Sequence, residues 1–150
     1  IQSIQEKFEI QIVNAATDVT GYGFLGHLNE MIQSTNSRRR KENLKEIKVV
    51  LNLNSFKAYP GVIDLINKGI KSSLFEYNHK ILDFLRYKSQ AGIIDFIHEN
   101  HIDTKEVTAL KKLLCDPQTC GPLLISCNEK FEKYFEDNWY KVGIVENRNN

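Results

Sequence analysis

The first third of the chain combines an apolar period of two with an apolar period of three to four. Residues 8–16, FEIQIVNAA, alternate apolar and polar positions, which predicts a strand with one buried face. Residues 20–23, TGYG, then interrupt the pattern with two glycines and predict a tight turn. The next apolar positions recur at helical spacing and predict the buried face of a helix: Phe24, Leu25, Leu28, Met31 and Ile32.

The remainder of the chain continues to alternate strand-like and helix-like segments. Further strands are predicted at residues 48–54, 122–127 and 140–146, and further helices at residues 59–69, after residue 78, and at residues 91–100, 103–114 and 129–139. This alternation predicts the fold class α/β (α+β), with a mixed β-sheet of about four or more strands flanked by helices. The pattern contains no internal repeat, so residues 1–150 are interpreted as a single domain.

Capping residues mark several of the predicted helix ends. Pro60 suits the first turn of the helix at 59–69, and Gly69 suits a left-handed C-terminal cap. The side chains of Asn78, Asp103 and Asn128 suit the N-cap position, where they accept hydrogen bonds from the next turn. These residues sharpen the predicted boundaries of four helices.

A polar and basic segment covers residues 34–48, STNSRRRKENLKEIK. Its run at 38–41 has the charge of a nucleic-acid or phosphate patch. No aromatic residue is interleaved, and Glu42 and Glu46 partly neutralise the run, so a solvated loop is the favoured interpretation. The segment at 34–46 is therefore expected to be mobile and dispensable.

Composition excludes several classes of protein. The chain has 150 residues, 41% hydrophobic and 26% charged, as in an ordinary globular domain, and a formal net charge of +1. This balance does not direct it to nucleic acid or to an anionic membrane. It contains no apolar run near the ~20 residues that cross a bilayer and no recognised secretory signal. No nucleic-acid or membrane partner is predicted, and a cytoplasmic location is expected.

The first residue and the cysteines add two expectations, one about the size of the whole protein and one about its thiols. Because the chain begins with Ile1 and its one methionine is Met31, it is expected to be a piece of a larger protein. Cys115, Cys120 and Cys127 have neither a disulfide pattern nor a common zinc spacing. They are interpreted as reduced thiols in a reducing compartment.

The candidate chemistry lies where the first strand meets the turn. Asp18 follows the strand, with Thr17 and Thr20 beside it and Gly21 next in the chain. Carboxylate and hydroxyl oxygens suit Mg²⁺, while the amides at a helix N-terminus suit phosphate. Spacing alone leaves two alternatives open, a site for Mg²⁺ and a nucleotide or a purely structural turn, and favours the turn.

Four stretches then resemble one family, in its order along the chain. AATDVTGYGFLGHLNEM resembles the pattern ATDVTGFGLLGHLLEM of selenophosphate synthetase (selenide, water dikinase), and LLCDPQTCGPLLIS resembles its LLFDPQTSGGLLIA. AYPGVIDLINKGIKSSLFEYN is similar to LYPGALELIEQGISSSLLPEN, and KVGIVE to the closing strand IGEV. The stretches after Ser34 and around 88–104 look like insertions relative to this pattern.

The resemblance implies a function. The family makes selenophosphate from selenide, ATP and water, releasing AMP and orthophosphate. Its N-terminal domain carries a cysteine or selenocysteine, a catalytic lysine, most ATP contacts and the homodimer interface. This chain resembles the C-terminal domain, of the type shared with aminoimidazole ribonucleotide synthetase. The domain is therefore expected to close a Mg²⁺–ATP site while carrying no catalytic residue of its own, so that the isolated chain is inactive.

The resemblance also assigns residues. Asp18 matches the family's magnesium-binding aspartate, and Thr17, Thr20 and Gly21 are implied to lie near the ATP phosphates. Residues 116–119, DPQT, are interpreted as shaping a turn.

The chain departs from the family pattern at one place. Cys120-Gly121-Pro122 replaces the family's Ser-Gly-Gly, and proline removes an N–H. Two alternatives stay open: a catalytically degenerate domain with a regulatory or scaffold role, which Pro122 favours, and a sibling ATP-dependent enzyme of the same superfamily.

Overall fold

The computed structural model describes residues 12–87, 92–99, 102–119, 121–135 and 138–148, and its strands form two sheets. In the first, β1 (Val13–Asp18) pairs antiparallel with β4 (Leu123–Cys127). In the second, β2 (Ile47–Asn52) lies between β3 (Ile94–Ile97), which is parallel to it, and β5 (Gly143–Asn147), which is antiparallel.

The helices pack around the three-stranded sheet. They are α1 (Gly23–Lys41), α2 (Val62–Asn67), α3 (Phe75–Tyr87) and α4 (Thr104–Leu113), with 3₁₀ turns at Leu53–Ser55 and Glu129–Tyr134. The predicted α+β class is confirmed, although the strands divide between two sheets. No helix among the described residues is long and apolar enough to cross a membrane.

The core lies between α1 and the buried face of β2. Leu25, Leu28 and Ile32 of α1 are at most 3% exposed, as the helical spacing predicted. They share one apolar cluster with Val49 and Leu51, which alternate along β2. Burial of each such side chain contributes about 1.5–3 kcal/mol, so this contact fixes α1 on the sheet.

The predicted helix ends are confirmed in part. The side chains of Asp103 and Asn128 accept from the N–H groups of residues 105 and 130, although Asn128 caps a 3₁₀ turn and not an α-helix. Gly69 has φ +80° just after α2, as a left-handed cap requires. Pro60 precedes α2, and Asn78 lies inside α3, which begins four residues earlier than predicted.

The helix predicted at residues 91–100 is wrong. Residues 94–97 form β3, parallel to β2, and the ends of the predicted segment at 91 and 100 lie outside the described residues. Ile94 is buried in the core cluster. A short apolar run rich in isoleucine fits a buried strand as well as a helix, and pairing with β2 decides between them.

The loop predicted over residues 34–46 is also wrong in its first half, because α1 continues to Lys41. Asn36 is 2% exposed, and its amide donates to the Ile47 carbonyl at 2.9 Å and accepts from the Ile47 N–H at 2.7 Å. Glu46 bridges Arg40 and Arg148, each at 2.5 Å. The segment is thus anchored to β2 and to the end of β5, contrary to the expected mobility.

Candidate functional site

The predicted strand, turn and helix are confirmed in the described part of the first segment, residues 12–41. The residues before position 12 lie outside the described part. Asp18 is the last residue of β1 and is exposed, opposite Leu123 of β4. The Gly23 N–H donates to the Thr20 carbonyl at 3.1 Å, which closes the turn ahead of α1. Residues 17–23 are called the Asp18 turn below.

The DPQT segment packs against this turn through backbone contacts. The Gln118 N–H donates to the Thr20 carbonyl at 3.0 Å, and the Leu25 N–H donates to the Leu114 carbonyl at 3.0 Å. Two segments about one hundred residues apart in sequence therefore form one unit. Residues 116–119 shape this turn, as the sequence indicated.

Two glycines permit the close approach. A Cβ on Gly23, whose φ is +69°, would lie 2.7 Å from the Cys115 carbonyl carbon. A Cβ on Gly121 would lie 1.8 Å from the Val19 carbonyl oxygen, so no side chain fits there. The glycines serve packing between the segments, a role that their place in a turn pattern did not reveal.

The third resembling stretch, residues 58–78, reaches the same place. The Ser72 hydroxyl donates to the Asp116 carboxylate at 2.6 Å, and the Asn78 amide donates to the Gly21 carbonyl at 2.9 Å. Asn78 is 6% exposed. The sequence predicted Asn78 as a helix cap, but its side chain instead holds the Asp18 turn. No local pattern signals a hydrogen bond that spans 57 residues.

His27 is a further residue that the sequence analysis did not single out. It is 8% exposed, and its Nε2 lies 3.1 Å from the Thr20 hydroxyl oxygen. Its Nδ1 lies 3.5 Å from Glu30, and its ring centroid lies 5.5 Å from that of Tyr22. Its one available signal was its position on the buried side of α1, one turn after Gly23.

The Asp18 turn presents a negatively charged carboxylate and, next to it in the chain, backbone N–H groups. Among the described residues, the Asp18 carboxylate has no hydrogen-bonding or ion-pairing partner, while the Thr17 hydroxyl donates to the Asp18 backbone carbonyl at 3.2 Å. Within the same described part, the N–H groups of Gly21 and Tyr22 have no protein acceptor. They lie at the N-terminus of a 19-residue helix, where the dipole favours anions. The turn can therefore meet a cation and a phosphate side by side.

The donor set fits one side of a magnesium site. The described residues contain no group of three or more His, Cys, Asp or Glu side chains that could hold a metal ion. Mg²⁺ is commonly held by one or two carboxylates, with phosphate oxygens and waters completing the shell. The Asp18 carboxylate is a hard oxygen donor of that kind, as are the hydroxyls of Thr17 and Thr20, although consecutive strand residues such as Thr17 and Asp18 point to opposite faces of the sheet.

Two cavities formed by described residues lie away from the Asp18 turn. One, of about 230 Å³, is lined by Gln33, Arg40, Glu46 and Arg148 among others. The other, of about 480 Å³, is lined by residues of the 53–64 segment and of α4. Neither includes residues 17–23, and within the turn Asp18 and Tyr22 are exposed.

The cysteines in the described part have no catalytic environment. Cys115 is free and fully buried, and burial raises its thiol pKa to about 12, with a smaller contribution from Asp116. Cys127 is free and half-buried, and desolvation raises its pKa as well. Thiolates are the reactive form, so the raised pKa makes both thiols less reactive than an ordinary cysteine. Cys120 lies outside the described residues.

Together, the fold and the site define an α+β domain that offers one carboxylate and helix-terminal amides at an open sheet edge. No protein-family model matches the chain. Nevertheless, most of the chain aligns with curated proteins that share one enzyme name.

Three curated relatives are named selenide, water dikinase. That of Colwellia psychrerythraea is 31% identical over 94% of this chain and 33% of the relative's length. That of Campylobacter jejuni is 33% identical over 88% of this chain and 32% of the relative's length. That of Escherichia coli is 29% identical over 90% of this chain and 31% of the relative's length. The predicted resemblance is confirmed: the chain is selenophosphate synthetase-like, and it spans about one third of the length of these relatives.

Proposed function

We propose that this chain is the C-terminal domain of a two-domain selenophosphate synthetase, in which it closes a Mg²⁺–ATP site through Asp18. The observation that carries the proposal is the convergence of two distant segments on the Asp18 turn. Hydrogen bonds from Gln118 and Asn78 hold the backbone of that turn, while the Asp18 carboxylate is left without a partner among the described residues. Such an arrangement preserves an exposed charge at a fixed place, which an ion-binding role requires.

The proposed roles follow from the chemistry of each group. Asp18 would bind magnesium that bridges the ATP phosphates, and Thr17, Thr20 and Gly21 would lie beside them. When bound, Mg²⁺ would neutralise phosphate charge during transfer, which is how much of phosphoryl-transfer catalysis works. The substrates would be selenide, ATP and water, and the products selenophosphate, AMP and orthophosphate.

The rest of the enzyme would lie in another domain. The chain spans about one third of the length of its relatives, which leaves room for an N-terminal domain with the nucleophile, the lysine and the remaining metal ligands. That domain would also form the homodimer. We therefore propose a cytoplasmic enzyme whose isolated C-terminal domain binds ATP weakly and does not turn it over.

Pro122 is compatible with this proposal. The strand pairing beside Asp18 uses the Pro122 carbonyl, which accepts from the Val19 N–H at 3.0 Å. Pro122 precedes the first residue of β4, a position where the missing N–H is tolerated. Pro122, which favoured a degenerate scaffold domain, is therefore equally compatible with an active enzyme.

The test is an assay of the full-length protein that contains this chain. With ATP, Mg²⁺ and selenide, it should release AMP and orthophosphate, and AMP release should depend on selenide. The same assay on residues 1–150 alone should give no AMP above background. ADP as the nucleotide product, or turnover that is indifferent to selenide, would support the sibling enzyme instead. Complete inactivity of the folded full-length protein would support the scaffold role.

A further inference from the structure

We propose that His27 is a positioning residue for Thr20. Its imidazole accepts a hydrogen bond from the Thr20 hydroxyl, so that the oxygen of this hydroxyl faces the bound ligand as an acceptor. The inference rests on the proposed function only for the identity of that ligand. His27 lies in the second turn of α1 and is 8% exposed. Its Nε2 is 3.1 Å from the Thr20 Oγ1, within hydrogen-bonding distance.

The contacts of the imidazole favour one of its two neutral tautomers. The Nδ1 atom faces Glu30, whose carboxylate oxygen is 3.5 Å away. An ionised carboxylate accepts hydrogen bonds and has none to donate, so it favours a hydrogen on Nδ1. In the neutral ring the other nitrogen then carries a lone pair, since the contact at one nitrogen sets the state of the other. Nε2 therefore accepts, and the Thr20 hydroxyl donates.

Contacts on the ring and on the threonine backbone fix this arrangement. The ring of Tyr22 lies 5.5 Å from the imidazole, centroid to centroid, at 51°. The Thr20 carbonyl accepts from the N–H groups of Gly23 and Gln118, so its peptide plane is held from two sides. The contacts with Tyr22 and with the Thr20 carbonyl thus support the His27 ring and the Thr20 backbone on either side of the hydroxyl.

The consequence concerns what Thr20 can bind. A hydroxyl has one hydrogen and two lone pairs, and commitment of the hydrogen to His27 leaves the lone pairs. Beside the phosphates, such an oxygen would therefore contact a cation or a donor, such as a water in the magnesium shell, and not a phosphate oxygen directly. Phosphate contacts then fall to the N–H groups of Gly21 and Tyr22. The Asp18 turn is thereby divided into a cation side, Asp18 and Thr20, and an anion side.

The first test uses nuclear magnetic resonance on the ¹⁵N-labelled chain, without substrate. At a pH where the imidazole is neutral, the long-range ¹H–¹⁵N spectrum should show His27 with its hydrogen on Nδ1. The Thr20→Val and Glu30→Ala variants should both shift the tautomer population toward Nε2–H. A wild-type ring that carries its hydrogen on Nε2 would overturn the proposal, whatever the protein does with ATP.

The second test uses the full-length protein and the magnesium dependence of its rate. His27→Leu should raise the Mg²⁺ concentration for half-maximal rate by about tenfold, the value of one orienting hydrogen bond. His27→Gln, which keeps a polar atom for Thr20, should recover most of that loss. His98→Gln, at an exposed histidine outside the site, is the matched control and should change nothing.

A double variant separates positioning from general structure. If His27 acts through Thr20, the His27→Leu/Thr20→Val pair should be no worse than Thr20→Val alone, within about twofold. Additive losses, or an unchanged magnesium dependence in an active enzyme, would refute the positioning role. If selenide-dependent AMP release is absent from wild type, the proposed function fails, while the tautomer measurement still decides the role of His27.

Discussion

The two ends of α1 carry charged groups in opposite circumstances. At its C-terminal end, Arg40 and Arg148 share the carboxylate of Glu46. At its N-terminal end, Asp18 is exposed and has no partner among the described residues, although the backbone around it is held by hydrogen bonds. The first arrangement satisfies its charges within the domain and so serves stability. The second keeps an unsatisfied charge in a fixed position, as a ligand site requires.

The largest expected effect on stability lies at Gly121, which packs against the Asp18 turn. Gly121→Ala should lower the free energy of unfolding by about 3 kcal/mol or more, because its Cβ would overlap the Val19 carbonyl oxygen at 1.8 Å. Gly21→Ala is the matched control: no atom lies within 4 Å of its Cβ, and the effect should stay within about 0.5 kcal/mol. Urea denaturation of both variants measures the difference. Equal stabilities would mean that Gly121 does not pack closely against the Val19 carbonyl.

The opposite end of α1 should respond to loss of its buried amide. Asn36→Leu keeps the size of the side chain but leaves the N–H and carbonyl of Ile47 without partners, which costs about 2–3 kcal/mol. Ser37→Ala, an exposed neighbour on the same helix, should have almost no effect. Replacement of residues 36–44 by a Gly-Ser linker should lower the melting temperature strongly. A linker variant as stable as wild type would restore the interpretation of this segment as a mobile loop.

The sequence predicted the turn far better than the basic segment, and the reason is physical. Strand alternation, glycines and helical spacing are local signals, and they located Asp18 at the end of β1. The anchoring of Asn36 to Ile47 and the pairing of β3 with β2 are contacts between distant segments, which no local period contains. For the same reason the sequence assigned Asn78 to a cap and did not single out His27, while resemblance to a family supplied Asp18 with its proposed chemistry.

A smaller effect is expected from the ion pairs at the C-terminal end of α1. The hydrogen bond from Arg40 lowers the pKa of Glu46 below its ordinary 4.5, with Arg148 contributing, so the folded state binds protons less readily than the unfolded one. The resulting stabilisation is present above pH 4.5 and is lost as pH falls through the folded-state value. Glu46→Gln should therefore destabilise at pH 7 by at most ~1 kcal/mol, since the groups are partly exposed.

The pH series supplies the control for this prediction. The difference between wild type and Glu46→Gln should shrink as the denaturation is repeated at lower pH, and 1 M salt should reduce it at pH 7. A gap that is independent of both pH and salt would show that Glu46 acts through packing and not through charge.

The smallest expected effect on stability, and the largest on activity, belongs to Asp18. Asp18→Asn keeps the size and one carbonyl oxygen but removes the charge, and asparagine suits a turn as well as aspartate does. In the full-length protein, turnover should fall by about 100-fold or more, the loss typical of one preorganised electrostatic group. The free energy of unfolding should stay within about 0.5 kcal/mol of wild type. Full turnover by Asp18→Asn at ordinary Mg²⁺ concentrations would contradict the account, because the exposed carboxylate would then be only part of a turn.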